Sequence, residues 1–185
     1  MPRSLTIFLV FHALIFIINL YQIHAFRDVS VQWCNRTDRS SLCLKILNAD
    51  SRSYLRSSPE GMARIIVDRA LLISESNIGK ITDLIGKSKG TSNRVFRDCL
   101  AGYNQAHDLL KEANISVINR QTYHDVAAAV SFPYHKADEC EQEFKQLLPG
   151  TPPPLTEDNK LLEDVIYVAM EIINLKVCNK TGICG

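Results

Sequence analysis

The chain has 185 residues, of which 46% are hydrophobic and 22% charged, and its formal net charge is +1 at pH 7. This composition is typical of one globular domain and argues against long disordered segments. The balanced charge lacks the positive field that non-specific nucleic-acid binding requires, so nucleic acid is not expected as a partner. Glycine and proline are present in ordinary numbers, and the unusual feature of the composition is a set of six cysteines.

The first 25 residues have the pattern of a secretory signal peptide. Arg3 provides a positive start, an apolar run extends over residues 5–20, and Ala25 ends the segment with a small side chain. A membrane anchor is the alternative, but a span needs about 20 apolar residues, and this run contains His12 and Asn19. We therefore predict cleavage after residue 25 and no membrane attachment afterwards. Because Arg3 is the only charged residue removed, the mature chain has 20 basic and 20 acidic side chains.

All six cysteines follow the signal segment. An even number in an exported chain favours disulfides over metal ligands or catalytic thiols, and the residues alone leave 15 pairings open. The cysteines are Cys34, Cys43, Cys99, Cys140, Cys178 and Cys184. Three glycosylation sequons, which begin at Asn35, Asn114 and Asn179, agree with passage through a secretory pathway.

The segment after residue 57 begins with a clear helix start. Ser58 is a suitable N-cap, Pro59 suits the first helical position, and Glu60 is an acidic residue in the first turn. Apolar spacings of three and four predict a helix from here to about Gly86. Its expected buried stripe is Met62, Ile65, Ile66, Arg69, Leu72 and Ile73.

Three more segments have the same periodicity. The second helix follows Gly90; the third begins near Thr122, is expected to break or kink at Pro133, and resumes to Leu148. The fourth follows a proline-rich linker at residues 149–154. The stripe predicted for the second helix is Phe96, Cys99, Tyr103, Ala106, Leu110 and Ala113. The stripe predicted for the fourth is Leu162, Val165, Ile166, Ala169, Ile172 and Ile173.

These patterns predict an all-α protein whose main domain is an up-and-down four-helix bundle. No segment alternates as a strand would, and no helix can bury its stripe alone. We place the signal peptide at residues 1–25, an N-terminal helical hairpin clipped by a local disulfide at 26–57, and the bundle at 58–177. A tail at 178–185 holds the last cysteine pair, for which we predict a third disulfide between Cys178 and Cys184.

Sites of catalysis are not evident in the sequence. It has no phosphate-binding glycine loop, nucleophile elbow or metalloprotease motif, and the mature chain has only three histidines, His107, His124 and His135. We interpret these as residues of helix surfaces, with a serine hydrolase as the alternative. A zinc site on His124, His135 and Cys140 is disfavoured because the spacing matches no compact site.

Two charged clusters have ordinary explanations. The acidic stretch Asp138, Glu139, Glu141 and Glu143 is predicted to be a solvated helix face, with partner contact as the alternative. The basic residues near the turn between the first two bundle helices are expected to be solvated or to steer an acidic partner. They are Lys80, Lys87, Lys89, Arg94 and Arg97.

The cysteine framework resembles that of the plant invertase and pectin methylesterase inhibitor family over roughly residues 30–176. Cys34 and Cys43 match its N-terminal Cys-x8-Cys hairpin, and Asp98-Cys99 followed by Tyr103 matches its Asp-Cys-x3-Tyr helix. The fourth cysteine of the framework, Cys140, lies in an Asp-Glu-Cys-Glu segment downstream of three alanines.

The resemblance implies disulfides Cys34–Cys43 and Cys99–Cys140. It also implies a secreted inhibitor of the cell wall or vacuole, without catalysis or cofactor, that acts as a monomer in a 1:1 complex. Its target would be an acid invertase or a pectin methylesterase, whose substrate cleft the bundle surface would block.

The same resemblance suggests where contact occurs. Invertase inhibitors can carry a Pro-Lys-Phe segment before the third bundle helix, and the matching span here includes Arg120 and Tyr123 without the proline. We add His124 and His135 to this expected contact surface, which should make binding depend on pH between about 5 and 7.

A different class of function is a bundle that binds a small apolar ligand or lipid. Such a protein needs a cavity between its helices. A bundle interior filled by side chains would count against it, and the residues to inspect are Phe96, Tyr103, Phe144, Leu162 and Ile166.

Overall fold

The computed structural model describes residues 2–119 and 123–181. All regular secondary structure in these two ranges is helical, which confirms the predicted fold class. A 3-10 turn, Ser53–Ser57, connects the hairpin to the bundle. The helices are α1 (Pro2–Cys34), α2 (Ser40–Ala49), α3 (Pro59–Lys87), α4 (Gly90–Asn119), α5 (Tyr123–Leu147) and α6 (Thr156–Thr181).

Helices α3 to α6 form the four-helix bundle. Each packs against the next in the chain, and α6 packs back against α3, which closes an up-and-down ring. Ser58 caps α3 as predicted, because its side chain accepts a hydrogen bond from the backbone N–H of Gly61 at 3.1 Å. In the tight α3–α4 turn, Gly90 has φ of 59°, a conformation that favours glycine.

The predicted stripes of α4 and α6 are confirmed, since every residue in them is buried. On α3, Met62 and its apolar partners are buried, but two residues of the predicted stripe are not. Arg69 is exposed and the side chain of Leu72 is 59% exposed. Both residues line an open groove beside α2. The stripe of α3 is wider than the bundle interior can accept, so its outer residues face the hairpin side.

Of the two outcomes predicted at Pro133, a break or a kink, the break does not occur. Helix α5 continues through this residue, which is buried. Proline removes the N–H that would bond to the carbonyl of Ala129, so one backbone hydrogen bond is lost. The residues after it are held by packing against α4 and α6, and this packing offsets the loss.

The N-terminal hairpin consists of the end of α1, α2 and the turn between them. A disulfide joins Cys34 to Cys43, with the Cα atoms 5.6 Å apart. Helix α2 packs on α3 and α6, and its residues Ile46 and Leu47 are buried there. The hairpin therefore covers the α3/α6 side of the bundle.

The segment predicted to be a signal peptide lies in the N-terminal part of α1. The large apolar side chains between Ile7 and Ile18 are exposed to solvent, and their exposed fractions range from 43% to 70%. Among the described residues, no helix combines the length and the apolar character that crossing a membrane requires.

Candidate interaction surface

The side of the bundle formed by α4 and α5 is the one that the hairpin leaves uncovered. The hairpin is tied to the other side by several contacts with α6. Among them, Arg39 bonds to Asp164 at 2.6 Å, the backbone N–H of Asp38 donates to Glu171, and Arg36 donates to Asn179. On α4 and α5, Ala101, Gln105, His135 and Asp138 are among the residues exposed. We call this uncovered side the α4/α5 face.

The α4/α5 face is held rigidly across its centre. The disulfide Cys99–Cys140 joins the two helices with their Cα atoms 5.0 Å apart. One turn further along, a Cβ on Gly102 would lie 3.3 Å from Cδ of Lys136, so the absence of a side chain lets that lysine lie against α4. The Lys136 ammonium lies 5.0 Å from the centre of the Phe132 ring and pairs with Glu139.

Of the four expected contact residues, His135 is the one whose side chain the structure describes. Arg120 lies outside the described residues. Tyr123 and His124 are the first two residues of α5, and the structure does not describe their side chains. His135 is three turns further along α5, is exposed, and meets the Tyr134 ring edge-on at 5.6 Å between centroids. Their role in binding stays a prediction.

The cysteine pairs in the described ranges are those implied by the resemblance, Cys34–Cys43 and Cys99–Cys140. No cysteine in these ranges is a free thiol. Cys178 lies in α6, whereas Cys184 is outside the described residues. The third disulfide therefore stays a prediction.

The acidic stretch on α5 is solvated only in part. Asp138 and Glu139 are exposed as predicted, but the prediction for Glu141 is wrong, because this side chain is 8% exposed. Its carboxylate accepts from Thr156 Oγ1 at 2.7 Å and from Asn159 Nδ2 at 3.2 Å. Glu141 therefore belongs to the interior of the bundle.

Glu141 is one end of a buried polar network that joins all four bundle helices. The phenol of Tyr103 on α4 donates to Asn159 Oδ1 on α6 at 2.5 Å and accepts from Asn77 Nδ2 on α3 at 3.2 Å. Burial is the main reason why the pKa of Tyr103 is raised. The sequence analysis missed this network, although Asn77 and Asn159 stand four residues after Ile73 and three before Leu162, at positions where the apolar stripes would continue.

The basic cluster is partly neutralised. Lys80 pairs with Asp158 at 2.5 Å, and Arg97 donates to the side chain of Asn93 at 2.9 Å. Lys87 and Lys89 are exposed at the α3–α4 turn. These residues form the end of the bundle rather than the centre of the α4/α5 face.

A carboxyl pair crosses from α4 to α5 on the α4/α5 face. Burial, with the nearby carboxylate of Asp98, raises the pKa of Glu143, and Arg94 opposes the shift. A carboxyl whose pKa is raised by folding holds its proton more tightly in the folded state. Its contribution to stability is therefore present at acid pH and is lost as the pH rises through the folded pKa.

We expect Glu143→Gln to raise the free energy of unfolding at pH 7 and to raise it less at pH 4.5. The reason is that glutamine removes a charge which Asp98 repels at neutral pH, whereas protonated Glu143 already lacks that charge in acid. Urea unfolding at both pH values measures the effect. Burial lowers the pKa of His107, so this residue gives the free energy of unfolding the opposite dependence on pH. Because His107 is present in both proteins, its contribution cancels in the comparison. Glu112→Gln, at an exposed position of α4, is the control. A gain in stability for Glu143→Gln that is equal at both pH values would contradict the prediction.

Among the described residues, Ser74 and His107 form a candidate pair for the hydrolase alternative. The Ser74 hydroxyl donates to the carbonyl of Leu71 at 2.8 Å. Nδ1 of His107 lies 2.7 Å from Oγ of Ser74. Since the hydroxyl proton is committed to that carbonyl, Nδ1 is assigned as a donor and not as a base. Ser74 is also fully buried, so a substrate cannot reach it. This pair is a structural contact between α3 and α4.

The zinc and apolar-ligand alternatives lack support in the described part of the chain. Cys140 is bonded to Cys99 and cannot ligate a metal, and no group of histidine, cysteine and carboxylate residues there could hold one. The side chains that would have to surround an internal cavity are packed in the buried core. They are Phe96, Tyr103, Phe144, Leu162 and Ile166.

Comparison with known proteins agrees with the resemblance of the cysteine framework. The model of the family described as plant invertase/pectin methylesterase inhibitor matches residues 29–172. A crystal structure of a mutant form of a pectin methylesterase inhibitor from Arabidopsis is 22% identical, with a TM-score of 0.64 over 77% of this chain and 93% of that one. A second pectin methylesterase inhibitor, from Arabidopsis thaliana, is 21% identical, with a TM-score of 0.59 over 79% and 94%.

No curated protein sequence matches the chain. At these levels of identity the two solved structures establish the fold, and the family match covers the end of α1, both disulfides and most of α6. Taken with the helical hairpin and the four-helix bundle, it shows that the chain belongs to the plant invertase/pectin methylesterase inhibitor family.

Proposed function

We propose that this protein is a secreted inhibitor that occupies the substrate cleft of a plant carbohydrate-active enzyme, either an acid invertase or a pectin methylesterase, with its α4/α5 face. Family membership carries the proposal. In this proposal the protein acts by steric exclusion, without catalysis or a cofactor of its own. It works as a monomer in a 1:1 complex in the cell wall or the vacuole, after removal of residues 1–25.

Rigidity supports the choice of surface. A face that keeps its shape loses little conformational entropy when it docks, and more of the contact energy then appears as affinity. The Cys99–Cys140 disulfide and the close approach of Lys136 to Gly102 supply this rigidity. On the opposite side, α2 already occupies the bundle surface.

Charge and aromatic character also suit a sugar-processing cleft. Glycosidase clefts contain a pair of carboxylates, to which cationic groups are complementary. The α4/α5 face presents the imidazole of His135 beside the Tyr134 ring, and the ammonium of Lys136, which also pairs with Glu139, near the Phe132 ring.

Titration of the secreted protein into an acid invertase and a pectin methylesterase, at pH 5 to 7, tests the function. We expect stoichiometric loss of turnover for one of the two enzymes. Unchanged turnover of both at micromolar inhibitor would overturn the proposal, and affinity that is constant over this pH range would remove the histidines from it.

Two charge changes on opposite sides of the molecule test the surface. We expect His135→Asp to weaken inhibition at least tenfold, about 1.4 kcal/mol, because it places a negative charge in the contact. Lys45→Asp reverses a charge at an exposed position of α2, on the covered side, and should leave the inhibition constant unchanged. The reverse ranking of the two variants would place the contact on the hairpin side.

A further inference from the structure

The three glycosylation sequons lie in different structural settings. Asn35 is exposed in the turn between α1 and α2, and Asn179 is exposed in the last turns of α6. Asn114 is half-buried in α4, where it faces α3. N-linked glycosylation joins a sugar to the side-chain amide nitrogen, so the surroundings of that atom decide whether the folded protein can hold the product.

The amide nitrogens of Asn35 and Asn179 are available. Asn35 uses its oxygen to accept from Ser40 Oγ at 3.2 Å, and Asn179 uses its oxygen to accept from Arg36 Nη1 at 3.2 Å. Neither amide nitrogen has a hydrogen-bond partner among the described residues. Each side chain is thus held through its amide oxygen, and its amide nitrogen stays available on an exposed residue.

The side chain of Asn114 is part of the contact between α3 and α4. Its amide nitrogen donates to the carboxylate of Asp68 on α3, and that carboxylate pairs with Arg52 at 2.7 Å. Its oxygen is buried without a hydrogen-bond partner. A sugar on this amide would have to enter the contact between α3 and α4.

We infer that Asn35 and Asn179 carry N-linked glycans in the secreted protein and that Asn114 does not. The donor is a polyprenyl-diphosphate-linked oligosaccharide. The amide nitrogen forms a bond to the anomeric carbon, the bond from that carbon to the diphosphate oxygen breaks, the lipid diphosphate leaves, and a base takes the amide proton. Chains modified at Asn114 cannot complete the α3–α4 contact, and so they are absent from the folded, secreted fraction.

The two glycans mark one corner of the molecule. Arg36, which follows Asn35 in the chain, reaches Asn179 directly, so both sugars flank the turn of the hairpin. This corner is on the α3/α6 side. The sugars therefore shield the hairpin side and leave the α4/α5 face open, an assignment of orientation that rests on the proposed function.

Site occupancy can be read from the mass of the secreted protein. Wild type, Asn35→Gln, Asn179→Gln and Ser116→Ala are expressed from a plant secretory cell with the chain's own N-terminal segment. We expect the wild type to lose two glycans on treatment with peptide-N-glycosidase, and each asparagine variant to lack one. Ser116→Ala removes the third sequon without changing Asn114, and we expect it to lose the same glycan mass as the wild type on this treatment.

A smaller glycan mass for Ser116→Ala than for the wild type, or a wild-type glycan mass for Asn35→Gln or Asn179→Gln, would overturn the site assignment. If a variant is not secreted, enzymatic deglycosylation of wild type in heavy-oxygen water followed by peptide mapping gives the same answer. Inhibition by the double variant Asn35→Gln/Asn179→Gln tests the orientation separately. We expect an unchanged inhibition constant for this variant. Inhibition weakened tenfold or more would place the sugars in the contact. Absence of inhibition by the wild type would reject the proposed function and leave the glycan sites unaffected.

Discussion

Replacing both Cys99 and Cys140 by alanine should lower the free energy of unfolding by about 4 kcal/mol. The two residues are 41 positions apart, and the bridge restricts the unfolded chain over that whole length. A loss of this size is a large part of the 5–15 kcal/mol that typically separates folded from unfolded domains. Urea unfolding at equilibrium, without reductant, measures it.

The N-terminal disulfide is the matched control. Cys34 and Cys43 are only nine positions apart, and their replacement should cost about 3 kcal/mol on the same basis. This loss should appear as loosening of the hairpin, with the helical content of the bundle retained. A larger cost for the hairpin pair than for the bundle pair would show that chain entropy is not the main contribution of these bridges.

Asn159→Leu should lower the free energy of unfolding by about 3 kcal/mol. The change removes one donor from the buried carboxylate of Glu141 and the acceptor of the Tyr103 hydroxyl, so two polar groups on two other helices are left short of partners. Leucine has a similar size, and the loss therefore reports the hydrogen bonds rather than a cavity. Thermal and urea unfolding both measure it.

The same substitution at Asn174 separates the network from helix propensity. Asn174 is on the same helix and is exposed, so Asn174→Leu should change stability by less than about 0.5 kcal/mol. We also expect Tyr103→Phe to recover part of the Asn159→Leu loss in the double variant, since it removes the orphaned hydroxyl. Additive losses would mean that the two side chains do not act as one network.

The helices themselves could be predicted closely because their signals are local. The start of α3 at Pro59, its capping by Ser58 and the complete buried stripes of α4 and α6 all follow from residues within a few turns of each other. At Pro133 a local rule allows a break or a kink, and it cannot exclude the break because it ignores neighbouring helices. Packing of α5 against α4 and α6 outweighs one missing backbone hydrogen bond.

The candidate surface was predictable only as a location. The sequence placed the expected contacts around residues 120–135, and His135 is exposed there. Nothing local shows that α2 covers α3 and α6, so the choice of the α4/α5 face required the contacts between distant segments. The same applies to Glu141, which resembles a surface acid until its partners on α6 are known.

The sequence by itself determined a helical protein with six cysteines and the framework of one inhibitor family, because periodicity, capping and cysteine spacing are recorded along the chain. The tertiary structure decided which side of the bundle is open, which polar residues are interior and which sequon is committed to packing. Asn114 looks like an ordinary surface asparagine in the sequence, and Asn159 stands at a stripe position without any local sign of its partners. Their roles depend on Asp68, Tyr103 and Glu141, which lie far away in the chain and become neighbours only when the helices pack.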